Sequence, residues 1–395
     1  MEVSHADILV VVTIAVLAPL LADLTKRAKV PIVVLEIFLG IIVGPQVLDL
    51  AATDSFIDSL ATFGLAFLFF LAGMEIDFER IRGEPARLGV IGWLASVAIG
   101  SAAAVILHVT GVIHATVLVA LALSTTALGT LMPIFRDAGI LDQRFGNFVV
   151  GAGAAGEFGP VVVVSVILAF EADEPLRALL LFVFAAIVVT ATLFALRARP
   201  ARVVRLVQTT MGTSGQLAIR LSLLLVVALA VLASEFGLDV ILGAFAAGIV
   251  VGIVIRGTDS HEFLGKLDAV GFGFLIPVFF IATGMDYDLD GLFSDPASLA
   301  LVPGFALLFL LGRGLPAMLL YRRRLSATER TSLALFSAAA LPLLVAITQI
   351  GLDTHTMRPE VAVSLVGAGM LSVLVYPLLG LARHRRAERE RPLGN

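Results

Sequence analysis

Glu157 lies inside a long apolar run, residues 146–170, where an ionisable side chain costs several kcal/mol unless it is paired or wetted. It is about 11 residues into that run, roughly 17 Å along a helix, which is close to the middle of a ~30 Å hydrocarbon core. The residues around it, Gly151-Ala152-Gly153-Ala154-Ala155-Gly156-Glu157-Phe158-Gly159-Pro160, are small enough to let another helix or an ion approach. Pro160 frees the carbonyl four residues earlier, that of Gly156, beside the acid. A carboxylate so placed can hold a monovalent cation, Na⁺ or K⁺, or a proton. The plainer reading is a permanently protonated acid in a tight helix contact.

Two further stretches could contribute oxygen ligands. Ser124-Thr125-Thr126-Ala127-Leu128-Gly129-Thr130 puts hydroxyls and a glycine in the middle of an apolar segment, and Ser337-Ala338-Ala339-Ala340-Leu341-Pro342 carries a helix-breaking proline at similar depth. Interrupted helices there would present dipole ends and free carbonyls, which with Glu157 suit a hard cation. Hydroxyls that only bond back to their own helix are the competing reading. Arg313 is the one base well inside an apolar run, about eight residues or 12 Å from its cytoplasmic end. It needs a carboxylate, helix C-terminal carbonyls or water, with Glu157 and Glu36 as candidate partners and snorkelling as the alternative. His108 and His114 lack further ligands at metal spacing and read as ordinary interface residues.

The elements that must position these residues are membrane spans. Of 395 residues 59% are hydrophobic and only 15% charged, against roughly 25% charged in a soluble domain, so a soluble globular protein is excluded. Apolar runs at about 7–24, 30–48, 57–74, 87–110, 114–135, 146–170, 176–196, 216–235, 238–255, 266–284, 297–321, 331–350 and 359–382 predict 13 transmembrane helices. They are continuous rather than alternating, which favours an all-α polytopic membrane protein over a barrel. The odd-numbered loops and the C-terminal tail hold 23 of the 27 Lys and Arg, while acids such as Asp49, Asp54, Glu171 and Asp288 gather in the even-numbered loops. The N-terminus is therefore expected outside and the C-terminus in the cytoplasm. The absence of cysteine removes disulfides and thiolate metal sites.

The chain also resembles itself. Gly40-Ile41-Ile42-Val43-Gly44 in span 2 matches Gly248-Ile249-Val250-Val251-Gly252 in span 9, and Phe69 to Met74 in span 3 matches Phe279 to Met285 in span 10. The matched spans are an odd number of spans apart, so the copies run in opposite directions, the mark of an inverted repeat. The expected division is a first repeat at about 7–170, a linker helix at about 176–196, a second repeat at about 216–383, and a short basic tail at 384–395.

In this order and spacing, Val34-Leu35-Glu36-Ile37-Phe38-Leu39-Gly40-Ile41-Ile42-Val43-Gly44-Pro45, Phe69-Phe70-Leu71-Ala72-Gly73-Met74-Glu75-Ile76-Asp77, Leu123-Ser124-Thr125-Thr126-Ala127, Leu242 to Gly248 and Pro277 to Met285 make a specific set. Over about residues 7–383 the sequence resembles a monovalent cation:proton antiporter of the second family, the sodium/hydrogen exchanger domain. The resemblance implies a homodimer in the inner (plasma) membrane. It also implies a mobile core domain that moves like an elevator, and two broken, crossed helices, here spans 5 and 12. The family's essential ion-binding carboxylate falls on Glu157. The preceding position, usually Asp, Asn or Gln, falls on Gly156, and the family's basic residue, often Lys, falls on Arg313. Span 12 carries no acid, and the C-terminal nucleotide-binding domain of many potassium-efflux members is not expected here.

One carboxylate that takes either a cation or a proton predicts electroneutral one-for-one exchange of Na⁺ or K⁺ for H⁺, with no cofactor and no nucleic acid. A cation-coupled symporter, with Arg313 holding an organic anion, is the nearest rival. An intramembrane hydrolase lacks an aspartate pair, a Ser–His pair in the membrane or a His-Glu-x-x-His signature.

Overall fold

A chain in lipid must satisfy its backbone within each segment, and the apolar runs accordingly become helices. A computed structural model describes residues 4–24, 30–75, 82–171, part of 180–190, 216–236, 238–255, 261–294 and 296–390, and no strand occurs among them. In chain order the helices begin with α1 His5–Leu24, α2 Ile32–Val43, α3 Ser55–Glu75, α4 Glu84–Val109, α5 Thr116–Ala122, α6 Leu128–Asp137 and α7 Arg144–Glu171. They continue with α8 Leu217–Glu235, α9 Val240–Ile255, α10 His261–Val270, α11 Ile276–Met285 and α12 Leu289–Ser294. The last four are α13 Pro296–Leu320, α14 Ala327–Ser337, α15 Pro342–Asp353 and α16 Pro359–Glu390.

Among the described residues nine helical stretches are long and apolar enough to cross a membrane, and α2 and α9 are shorter apolar helices. Span 5 is divided between α5 and α6, and span 12 between α14 and α15. The linker helix expected at 176–196 lies largely outside the described residues, as does the end of the tail after Glu390. Span 10 differs from its expected form. Its helix starts at His261 rather than at Lys266, and Gly271–Leu275 widens into a π-helical turn. Gly271 and Gly273 lie in that turn, and weak helix formers let the backbone ease out of register. The last helix continues into the basic tail as far as Glu390, where Ala, Arg and Glu residues favour helix.

Contacts divide the chain into two compact units, one of residues 1–15, 51–77 and 161–282, the other of 16–50, 78–160 and 283–395. In the first, α9 packs against α3 and α8, and the π turn against α3. In the second, α13, α14 and α16 pack on one another, α4 lies against α13 and α5, and α15 against α16. Phe135, Phe145, Phe305, Phe309 and Phe336 are fully buried in this second unit.

The glycines of the matched segments also make close backbone contacts. Within the second unit, a side chain at Gly44 would meet the backbone of Met285, and one at Gly284 the backbone of Ile37 and Gly40. Within the first unit, a side chain at Gly248 would meet the backbone of Phe70 and Gly73, and one at Gly252 the backbone of Met74. Span 2 thus meets the end of span 10, and span 9 meets span 3. Both contacts use small residues to bring backbones together. Gly248→Val is expected to cost about 3 kcal/mol, because the obstacle is backbone and cannot step aside. A lower unfolding midpoint in detergent measures it, and an unchanged midpoint would refute the close approach.

Helix α14 starts on a reciprocal cap. The Ser326 hydroxyl accepts from the Glu329 N–H at 3.2 Å while the Glu329 carboxylate accepts from the Ser326 N–H at 2.9 Å. Ser326→Ala is expected to cost about 1 kcal/mol, seen as faster hydrogen exchange in the first turn of α14.

Candidate functional site

The interruptions of the two broken spans meet. Helix α5 ends at Ala122 and α6 starts at Leu128; α14 ends at Ser337, and α15 starts with Pro342 in its first turn. The Ala127 N–H of the first break donates to the Ala339 carbonyl of the second at 2.7 Å, and the Thr126 hydroxyl donates to the Ser337 carbonyl at 2.6 Å. Helix α7 completes the junction, because its Gly156 carbonyl, released by Pro160, accepts from the Thr126 N–H at 2.9 Å. Ser372 of α16 supports the second break, accepting from the Ala340 N–H at 3.0 Å.

Such a junction leaves helix ends in an apolar surrounding, and charged side chains compensate them. Helix α6 starts on Ala127, whose side chain cannot cap the free N–H groups of the first turn. Glu157 does so instead: its Oε2 accepts from the Gly129 N–H at 3.2 Å, and the residue is only 3% exposed. An anion at a helix N-terminus is favoured by the helix dipole. Arg313 sits at the opposite kind of end. Its Nε donates to Thr126 Oγ1 at 2.9 Å and to the carbonyl of Ser337, the last residue of α14, at 3.4 Å. Nη1 donates to Ser96 Oγ of α4 at 3.2 Å, and Nη2 to the Ala152 carbonyl of α7 at 2.8 Å. The guanidinium therefore links α4, α7, the first break and the end of α14.

The structure thus brings together Thr126, Gly156 and Arg313 at one point, and Glu157 and Gly129 at an adjacent one. Arg313 donates to four hydroxyl and carbonyl oxygens, one of them at a helix C-terminus with its partial negative charge. Glu36 is buried on α2 and shares no hydrogen bond with this group among the described residues. The hydroxyls of Ser124 and Thr125 bond back to the Leu121 and Ala122 carbonyls at 2.8 Å each, so their protons are engaged while lone pairs remain. Pro342 marks the second break, one residue after Leu341. No group of three or more His, Cys, Asp and Glu residues able to hold a metal ion occurs among the described residues.

Gly156 shows how tight the junction is. A Cβ on it would collide with Arg313 Nη2 and lie 2.6 Å from Thr126 Oγ1, so the guanidinium occupies the room a side chain would need. Sequence reasoning missed Ser96 and Ser372, although a buried serine in an apolar helix is itself a signal that something polar must be met. Trp93, the chain's single tryptophan, lies with its ring against Gly159, two residues beyond Glu157.

Residues 12–380 match the family described as sodium/hydrogen exchanger, transmembrane. The chain belongs to the sodium/hydrogen exchanger family. It is similar to YjbQ of Bacillus subtilis (strain 168), with 26% identity over 98% of this chain and 64% of YjbQ. The chain therefore spans somewhat less than two thirds of that relative. A Na(+)/H(+) antiporter of Enterococcus hirae is 22% identical over 91% of this chain and 93% of its own length. The Na(+)/H(+)-K(+) antiporter GerN of Bacillus cereus is 23% identical over 69% of this chain and 70% of its own length.

Proposed function

We propose that this member of the sodium/hydrogen exchanger family exchanges a monovalent cation, Na⁺ or K⁺, for a proton across the membrane, with Glu157 as the group for which the two ions compete. The observation that carries this reading is a carboxylate 3% exposed, seated on the N-terminus of a half-helix inside an apolar segment. Burial favours the neutral acid, whereas the helix dipole and a bound cation favour the carboxylate, so proton and cation displace one another. The names of the relatives from Enterococcus hirae and Bacillus cereus agree with such exchange.

One carboxylate holding one ion at a time makes the exchange one-for-one and electroneutral. Arg313, held by protein oxygens, stays charged and carries no transported proton. The same engagement gives the organic-anion symporter no support. The two broken spans cross at their joined interruptions, the core moves as an elevator in a homodimer, and the C-terminus faces the cytoplasm of a plasma-membrane protein.

The test is exchange by the purified protein in proteoliposomes, with Na⁺, K⁺ and Li⁺ gradients imposed in turn across a pH series. Proton movement driven by Na⁺ or K⁺ alone, at a rate unchanged by clamping the membrane potential, is the expected result. Proton movement that requires an added organic anion would reject the exchange, and a rate that follows the potential would reject its electroneutrality.

A further inference from the structure

The Arg313 clamp competes with the ion that Glu157 is proposed to hold. The Thr126 hydroxyl donates to the Ser337 carbonyl and accepts from Arg313 Nε, so the guanidinium already holds one of its two lone pairs, and a cation drawing on that oxygen must share it with a fixed positive charge. A cation arriving beside Glu157 would also meet a fixed positive charge, since the guanidinium lies against Gly156, the neighbouring residue, in a medium that screens poorly.

Tyr321 is the group near Arg313 that nothing in this arrangement uses. It follows Arg313 by eight residues along the same helical stretch, is 1% exposed, and its hydroxyl has no hydrogen-bond partner among the described residues. Arg313 Nη2 rests on the Ala152 carbonyl of α7 and the Tyr321 ring rests on Phe148, four residues earlier on the same helix, so the two side chains meet adjacent turns of α7. The hydroxyl and the guanidinium are within electrostatic range of one another. Phe148, on the helix that carries Glu157, fixes the tyrosine ring edge-on at 5.8 Å, and the guanidinium of Arg144 lies 5.8 Å from the Phe148 ring. A buried hydroxyl without a partner is unfavourable, and such groups in native structures call for an explanation. An oxygen with free lone pairs next to a buried cation is an acceptor in waiting.

We infer that the Tyr321 hydroxyl is a second berth for Arg313, a positioning residue that receives the guanidinium when a cation takes the lone pair of Thr126 beside Glu157. The inference rests on the reading of Glu157 and Thr126 as the cation site. The guanidinium gives up Thr126 and the Ser337 carbonyl, donates to Tyr321 Oη, and so relieves both the competition for Thr126 and part of the repulsion. Without the berth, the cation binds against an arginine that has nowhere to go.

Tyr321→Phe tests this, because it keeps the ring against Phe148 and removes only the hydroxyl. With whichever of Na⁺ and K⁺ drives exchange in the unaltered protein, the variant is expected to raise the KM for that cation about tenfold, the factor carried by one hydrogen bond to a charged group, with the maximal rate retained. Its unfolding midpoint is expected to be unchanged or higher, since the deleted hydroxyl had no partner. In a Thr126→Ala background, where the hydroxyl is no longer shared and only the repulsion remains, Tyr321→Phe is expected to raise KM by a smaller factor. An unchanged KM in Tyr321→Phe overturns the inference, and so does a lowered midpoint accompanied by a lost maximal rate, which would make the residue structural. Glu157→Gln measured alongside separates the two ideas. Exchange surviving in Glu157→Gln defeats the reading of the site, whereas loss in that variant with normal KM in Tyr321→Phe defeats only the berth.

Discussion

Glu157→Gln is expected to reduce cation-driven proton flux to below about one hundredth of that of the unaltered protein, the order of effect expected when an essential proton-exchanging group is lost. The amide retains an oxygen that can accept from the Gly129 N–H, so the uncapped start of α6 keeps its partner and the junction of the two breaks stays formed. What the amide lacks is a titratable proton and a negative charge, and both are needed if one group is to release a proton and then hold a cation. The loss should therefore appear in flux and not in the unfolding midpoint. Trp93 offers a second measure, since its ring lies against Gly159 on the helix that carries Glu157 and it is the chain's single tryptophan. Its emission should shift on titration with the transported cation and should not respond in Glu157→Gln. Flux persisting in the variant would remove Glu157 from the mechanism.

How much of this was legible beforehand depended on whether a feature lives in side chains or in the backbone. Glu157 was visible because an acid in an apolar run is rare and costly, and Pro160 pointed to a released Gly156 carbonyl, which the Thr126 N–H takes. Pro342 signalled the second break, and Ser124 to Gly129 the first. The partners of Arg313 were not readable, because the Ala152 and Ser337 carbonyls are present at every residue and no side chain announces which ones a helix end leaves open. A carboxylate, helix C-terminal carbonyls and water were all open to Arg313, and the end of α14 supplies one of those carbonyls. The π turn of span 10 escaped notice for a related reason: its apolar pattern is unbroken, and only the spacing of Gly271 and Gly273 hints that the helix can widen. The glycine matches between spans 2 and 9 carried more than expected, since they mark where backbones touch.

Gly156→Ala and Arg313→Ala are expected to have the same effect, and combining them is expected to add little. Hydrogen bonds to a charged group contribute about 1.5–3 kcal/mol each and do not sum, so removing the guanidinium from Ser96, Thr126, Ala152 and Ser337 is expected to cost about 3 kcal/mol. Gly156→Ala should reach the same state by another route. The added methyl collides with Arg313 Nη2 and crowds Thr126 Oγ1, and the guanidinium, held on several sides, has no small adjustment that keeps all its bonds. If displacement of Arg313 is the whole of the damage, the double variant should also cost about 3 kcal/mol rather than about 6. Arg313→Lys should fall between, because an ammonium is a point charge that cannot spread over four oxygens set around a planar fork. Unfolding midpoints of the four proteins in detergent measure the cycle, and additive losses would show that Gly156 acts independently of Arg313. Transport should decline in the same order, because Thr126 and Ala127 join the two breaks and thereby set the position of the α6 N-terminus on which Glu157 rests.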